Sequence, residues 1–338
     1  MRAAILHGPR DLRVQSAVEP QIGPEEVLVR VAAVGLCGTD YRIWNGDRSV
    51  AYPRVLGHEV VGQVEAIGDG VSRVQPADRV AVEPNYSCGR CALCREGNRN
   101  LCLGRIAIGI DVDGGLAELV RVPARCCWPI PPSLADDDVV LTEPLAVVVR
   151  AVARGAPRPG QRAAVVGAGT LGLLAVQVLR AHAVGVLVVA RRRQRLELAR
   201  QLGAEATALV GEVALEAAAR EFSGREGVDL VIETAGTPEA VSHALALARP
   251  GGRVVLTGLP HASTPVEFFS VVRREITLTG SMIYQDEFAE ALALVQSGRV
   301  QTRPLVTHRF ALEAVDAAMA AHRDPSSIKV AVLPVAGR

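Results

Sequence analysis

Six residues, Gly167-Ala168-Gly169-Thr170-Leu171-Gly172, join a short apolar strand, Ala163-Ala164-Val165-Val166, to an apolar helical stretch from Leu171 to Ala181. This placement restricts the fold more than any other feature. The first glycine permits a tight strand-to-helix turn, the second lets backbone approach a ligand, and the third lets the helix pack closely on the strand. Amide groups at the start of such a helix, together with its dipole, favour a diphosphate. Gly167, Gly169, Thr170, Leu171 and Gly172 are therefore expected to hold a dinucleotide.

The surrounding sequence repeats the same unit. Strands are expected at 186–189, 228–232 and 253–256, with helices at 194–202 and 239–248, the last stopped by Pro250-Gly251-Gly252. Near-continuous apolar strands alternating with helices imply a doubly wound parallel sheet, an α/β domain over about 148–282. At the end of the second strand an acid would accept hydrogen bonds from the ribose of NAD. Here the chain reads Val189-Ala190-Arg191-Arg192-Arg193. A small residue leaves room for a 2′-phosphate, and guanidinium groups clamp one by paired hydrogen bonds. Ala190, Arg191, Arg192 and Arg195 are the expected contacts, and NADP is favoured with NAD as the alternative. A solvated arginine run is the competing explanation.

Residues 1–147 read mainly as strands and turns, with apolar runs at 27–34, 60–67, 78–82 and 117–122. The tail from 283 carries helical stretches at 285–297 and 312–322 and a final strand at 330–333. At 338 residues the chain is long enough for two domains. Its 37 basic and 36 acidic residues give no reason to expect nucleic acid or an anionic membrane as a partner. No apolar run reaches the roughly 18 residues of a membrane span, and the N-terminus lacks a signal-peptide pattern, so a cytoplasmic location is expected. Lys329 is the only lysine, which argues against lysine-based covalent chemistry.

Two cysteine groups stand out. Cys88, Cys91, Cys94 and Cys102 follow the spacing C-x2-C-x2-C-x7-C, which suits a closed tetrahedral zinc, with an iron–sulfur cluster as the alternative on spacing alone. Cys37-Gly38-Thr39-Asp40 follows a strand and Gly57-His58-Glu59 precedes one. A thiolate, an imidazole and carboxylates could form an open zinc site, with a position left for substrate. Cys126 and Cys127 are read as packing residues.

Gly57-His58-Glu59 followed by Gly62, Gly68 and Val71, together with the Cys37 motif, the glycine turn and the four-cysteine loop, resembles the zinc-dependent alcohol dehydrogenases of the medium-chain dehydrogenase/reductase family. Thr142-Glu143-Pro144-Leu145-Ala146 is similar to the sorbitol, threonine and butanediol dehydrogenase branch. The resemblance implies a Rossmann domain plus a β-rich, chaperonin-10-like (GroES-like) catalytic domain over 1–147, completed by 283–338. It implies Cys37 and His58 as catalytic zinc ligands, with Glu59 binding the metal or lying behind it. Glu143 would supply the remaining ligand, directly or through water, and Asp40 would orient the histidine. Thr39 would pass the substrate proton outward. Cys88, Cys91, Cys94 and Cys102 would hold a structural zinc, giving two zinc ions per subunit. A homotetramer or homodimer is implied.

The implied reaction is hydride transfer between a secondary alcohol, diol, polyol or amino alcohol and a nicotinamide cofactor, with a small alcohol or ketone as the partner. Polyol dehydrogenases carry Arg-Tyr after the Gly-Ser that ends the last strand, whereas Gly280-Ser281 is followed here by Met282-Ile283-Tyr284. Ile283 in the arginine position argues against a heavily hydroxylated substrate. Tyr41 and Trp44 either line the pocket or belong to the core. Two alternatives stand beside this reading. One is a zinc-free quinone or enoyl reductase of the same superfamily, which would not need the cysteine groups. The other is a non-catalytic nucleotide sensor.

Overall fold

The computed structural model describes residues 1–260 and 263–335. By contact the chain divides into two compact units. One comprises Met1–Glu143, Ala291–Gln296 and the residues from Thr302 onward, and the other Pro144–Glu290 and Ser297–Gln301.

In the second unit six parallel strands lie in the order Ala206–Leu209, Gly185–Ala190, Arg162–Val166, Val228–Glu233, Ala248–Leu256, Thr277–Gly280. In chain order this is 3-2-1-4-5-6, the doubly wound arrangement whose direction reverses between Arg162–Val166 and Val228–Glu233. Every residue of Gly185–Ala190 and of Val228–Glu233 is buried, because helices cover both faces of such a sheet. The helix Thr170–Ala181 follows the glycine turn. The helix Pro238–Leu247 starts on a Thr237 cap, whose hydroxyl accepts from the Ala240 amide at 3.2 Å, with Pro238 in its first turn. It ends at Leu247, and the next strand begins at once. Pro250-Gly251-Gly252 falls inside that strand's irregular opening, where the register with Val228–Glu233 shifts. Helix and strand thus meet without the turn expected there. Two further pairs escape the sequence patterns: Ala206–Leu209 with helix Leu215–Ser223, and helix Phe268–Arg273 with edge strand Thr277–Gly280.

The first unit is β-rich. Its main sheet of seven strands is built around Glu26–Gly35, which pairs with Glu59–Ile67, with Leu119–Pro123 and with the C-terminal Lys329–Leu333, all antiparallel. Val306–Ala311 lies beyond Lys329–Leu333. Val27, Val29, Val31 and Val34 of the central strand pack with Leu36, Leu56, Val60, Leu116 and Val330 in one buried cluster. Burying each such aliphatic side chain contributes about 1.5–3 kcal/mol. The register sets the chemistry, because Gly35 lies opposite both Glu59 and Ala331. The ends of three strands distant in sequence therefore meet where the chain leaves the sheet toward Cys37. The expected helix at 312–322 is a single 3-10 turn, Leu312–Ala314, followed by the helix Val315–Ala321. Among the described residues no helix is long and apolar enough to cross a membrane.

Candidate active site and metal centres

Cys37 ends the central strand's exit and caps the helix Gly38–Asn45. Asp40, fully buried in the first turn of that helix, reaches back. Its Oδ2 accepts from the Cys37 amide at 2.9 Å and its Oδ1 from the Gly57 amide at 3.2 Å. The same Oδ1 lies 3.2 Å from His58 Nδ1. One carboxylate thus locks the two loops that carry the thiol and the imidazole. Burial opposes the charge on both partners, but the Asp40–His58 attraction prevails: Asp40 is held below the usual carboxylate range and His58 well above the usual imidazole range.

Donor atoms of Cys37, His58 and Glu59 all lie within 4.8 Å of one another. Glu59 opens its strand and is buried. Its side chain crosses Gly35, where an added Cβ would overlap Glu59 Oε2 and crowd its Cβ and Cδ at 3.1 Å, so a larger residue there would displace the Glu59 side chain. Both Glu59 oxygens receive Lys329 Nζ, at 2.6 and 2.7 Å, and the same ammonium donates to Leu36 O at 3.1 Å. Lys329 is buried, and although burial lowers its pKa, Glu59 and Cys37 raise it above the ordinary lysine value. Glu143 lies outside the three-donor group but is also buried. Burial first, and then Glu59 after the opposing influence of His58, push its carboxyl up to about 7. Thr39 is half-buried in the first turn of the helix. Tyr41 stacks on His322 with ring centres 5.8 Å apart and meets Trp44 at 5.5 Å with the rings tilted by 50°. Burial, followed by Lys329, pushes His322 down to about 4.

Lys329 and His322 are the two members of this neighbourhood that sequence reasoning did not select. The one available signal was a single lysine in an arginine-rich chain. It marked a site where a compact ammonium on a flexible stem fits between a carboxylate and a carbonyl.

In the four-cysteine loop the sulfurs of Cys88 and Cys102 are 3.5 Å apart, Cys91 and Cys94 3.5 Å, Cys91 and Cys102 3.8 Å, and Cys88 and Cys94 4.0 Å. Zinc–sulfur bonds of about 2.3 Å require sulfurs about 3.8 Å apart in a tetrahedron. The four residues therefore fit a closed zinc site. The amides of Arg90 and Cys91 draw the Cys88 thiol down to about 6, whereas burial and its neighbours hold Cys102 near 11 despite the Cys88 amide. Four crowded thiols cannot all ionise without a cation among them. Cys126 and Cys127 are buried, with burial raising both to about 12, as inert packing thiols would be.

In the parallel-sheet unit, Gly167 has φ +103° and its amide donates to Val189 O at 2.9 Å. Gly169 has open space at its Cβ position, while a Cβ on Gly172 would come 1.9 Å from Gly167 O. Backbone at 169 is thus accessible, and 172 is packed tight. Thr170 and Leu171 begin the helix. Ala190 ends its strand buried, and Arg191 and Arg192 are exposed. Arg193 pairs with Glu212 at 2.6 Å. Burial, then Arg192 and Arg191, lower the pKa of half-buried Arg195, so three guanidinium groups crowd one another. Ile283 has φ +42°, an uncommon conformation for a β-branched residue.

The family model for the alcohol dehydrogenase GroES-like domain matches residues 23–132, and that for zinc-binding dehydrogenases matches 170–297. A sorbitol dehydrogenase of Bacillus subtilis is 34% identical, covering 94% of this chain and 92% of its own. An L-threonine 3-dehydrogenase of Streptomyces avermitilis is 35% identical, covering 89% of this chain and 90% of its own. Among solved structures, a zinc-binding dehydrogenase of Sinorhizobium meliloti bound to NADP superposes with a TM-score of 0.94 at 34% identity, covering 98% of this chain and 99% of that one. With two metal-fitting donor sets, a dinucleotide turn and relatives matched over nearly their whole length, the chain belongs to the zinc-containing, nicotinamide-dependent alcohol dehydrogenases.

Proposed function

We propose that this dehydrogenase oxidises sparsely hydroxylated secondary alcohols, diols or amino alcohols reversibly to ketones, with NADP as the preferred cofactor. The observation that carries the reading is the buried cluster in which Cys37, His58 and Glu59 converge within 4.8 Å. Zinc held there would supply Lewis acidity to an alcohol oxygen, and a bound nicotinamide would supply the hydride chemistry. Cys37 and His58 hold the metal. Asp40 fixes the ring of His58, and such outer partners orient metal ligands in general. Glu59 is anchored by Lys329 at 2.6 Å, which supports a place behind the metal, whereas Glu143, as the carboxylate, completes the ligand set directly or through water. Thr39, half-buried beside Cys37, passes the substrate proton outward.

Ala190, small and buried at the strand end, and Arg191, Arg192 and Arg195 close to one another beside it support a 2′-phosphate site, since guanidinium groups clamp a phosphate by paired hydrogen bonds. Gly167, Gly169, Thr170, Leu171 and Gly172 cradle the diphosphate. Ile283, in the sequence position where polyol dehydrogenases carry arginine, supports a substrate with few hydroxyls. We place the enzyme in the cytoplasm as a homotetramer or homodimer. Titration with NADPH and NADH by nicotinamide fluorescence, followed by a panel of secondary alcohols, threonine and sorbitol, tests the reading. NADPH should bind at least about tenfold tighter, ~1.4 kcal/mol, and sorbitol should be a poor substrate. Tighter NADH binding, or preference for sorbitol, would refute the corresponding half.

A further inference from the structure

The strand order reverses between Arg162–Val166 and Val228–Glu233, which pair in parallel. Ligands of open parallel sheets bind outside the carboxyl ends of the strands at such a point. The glycine turn continues one of these strands, and Thr234-Ala235-Gly236 continues the other. Thr234 is tied to the peptide group where the strand enters the glycine turn, and its hydroxyl also lies 3.4 Å from Gly167 O. Its amide donates to Val166 O at 2.9 Å, and its hydroxyl donates to the same oxygen at 2.9 Å. Both lone pairs of the last strand carbonyl are thereby used. On the opposite side the next amide, that of Gly167, donates to Val189 O. The single peptide plane between Val166 and Gly167 is clamped from both neighbouring strands.

Both glycines also lie close against this hydroxyl. A Cβ at Gly167 would lie 2.8 Å from Thr234 Oγ1, and one at Gly172 3.0 Å. Thr234 is itself held in place. Glu233, with no exposed surface, accepts through Oε1 from the Ala235 amide at 2.6 Å and the Gly236 amide at 2.8 Å. Its carboxylate closes the loop that presents Thr234.

We propose that Thr234 is a positioning residue for the cofactor diphosphate. Its hydroxyl sets the peptide plane at which the turn begins, and so aims the amides that follow Gly167. Glu233 fixes Thr234 in turn. A turn already aimed at its anion avoids an ordering cost on binding. The inference rests on the phosphate-turn reading of the proposed function.

The test compares Thr234→Val, which removes the donor at nearly constant volume, with Thr234→Ser, which keeps it. Ligands are NADPH, NADH, ADP-ribose and adenosine 2′-monophosphate, with affinities taken by calorimetry. Thr234→Val should weaken NADPH, NADH and ADP-ribose together by about five- to tenfold, the scale of one hydrogen bond. Adenosine 2′-monophosphate, which lacks the diphosphate, should stay within about twofold, and Thr234→Ser should bind like the parent enzyme. Thr234→Ala gives the same reading if the valine variant does not fold. Equal weakening of all four ligands would reduce Thr234 to a general structural role and overturn the proposal, as would no weakening at all. Gly169→Asp separates the two levels. Unchanged ADP-ribose binding in that variant would remove the phosphate-turn reading itself, and this inference with it.

Discussion

The two cysteine centres are made in opposite ways. Cys88 and Cys102, the ends of the four-cysteine loop, are 14 positions apart, and Cys88 is exposed. In the Cys37 centre His58 and Glu59 are buried and Cys37 half-buried, and the Glu59–Lys329 pair spans 270 positions. The loop assembles its donors from local turns, so its spacing alone describes it. The second centre exists only where the strands Glu26–Gly35, Glu59–Ile67 and Lys329–Leu333 close on one another. A local thiolate cage suits a structural ion. A buried set of unlike donors, backed by charges from remote parts of the chain, suits an ion that must keep a position open for chemistry.

The largest expected contrast comes from removing one sulfur at each centre. Cys37→Ser should lower turnover by about 10³-fold or more, since a Lewis acid contributes several kcal/mol to the transition state, while cofactor affinity stays unchanged. Cys94→Ser should leave turnover within about threefold but lower Tm by about 5 °C or more, because structural zinc binding adds to folding energy. Metal analysis should find one zinc per subunit in each variant. Turnover lost with Cys94 and kept without Cys37 would reverse the assignment.

The buried ion pair gives the next effect. Lys329→Met strands the Glu59 charge beneath Gly35, and breaking such a pair costs about 3–5 kcal/mol. Urea unfolding should show that loss, and adding Glu59→Gln should recover part of it. An unchanged midpoint would mean that the pair carries no net stability. Asp40→Asn should act more mildly, weakening zinc at the Cys37 centre by about 10- to 100-fold, as is usual for partners of metal ligands. A competing chelator would register this as earlier release of one zinc, with the four-cysteine zinc unaffected.

The same contrast explains what the sequence reveals. The glycine turn is legible because its constraints are local: Gly167 needs φ +103°, and Gly172 needs a bare Cα against Gly167 O. The buried strands at 185–190 and 228–233 announce themselves by unbroken apolar runs. Ala206–Leu209 and Thr277–Gly280 do not, since they close the two edges of the sheet and carry short, partly exposed sequences. Lys329 is set aside by its chemistry when read alone, and it gains meaning only when strand register places it on Glu59. Thr234 is likewise silent in sequence, because its partner is a carbonyl on the neighbouring strand.

The most direct test is a time course of zinc release under a mild chelator, with turnover and circular dichroism followed on the same sample. The account predicts that the first zinc lost carries away all turnover while secondary structure persists, and that added zinc restores activity. Full turnover after loss of the first zinc, disappearing only with the second as the fold fails, would contradict the assignment of catalysis to Cys37, His58 and their buried partners.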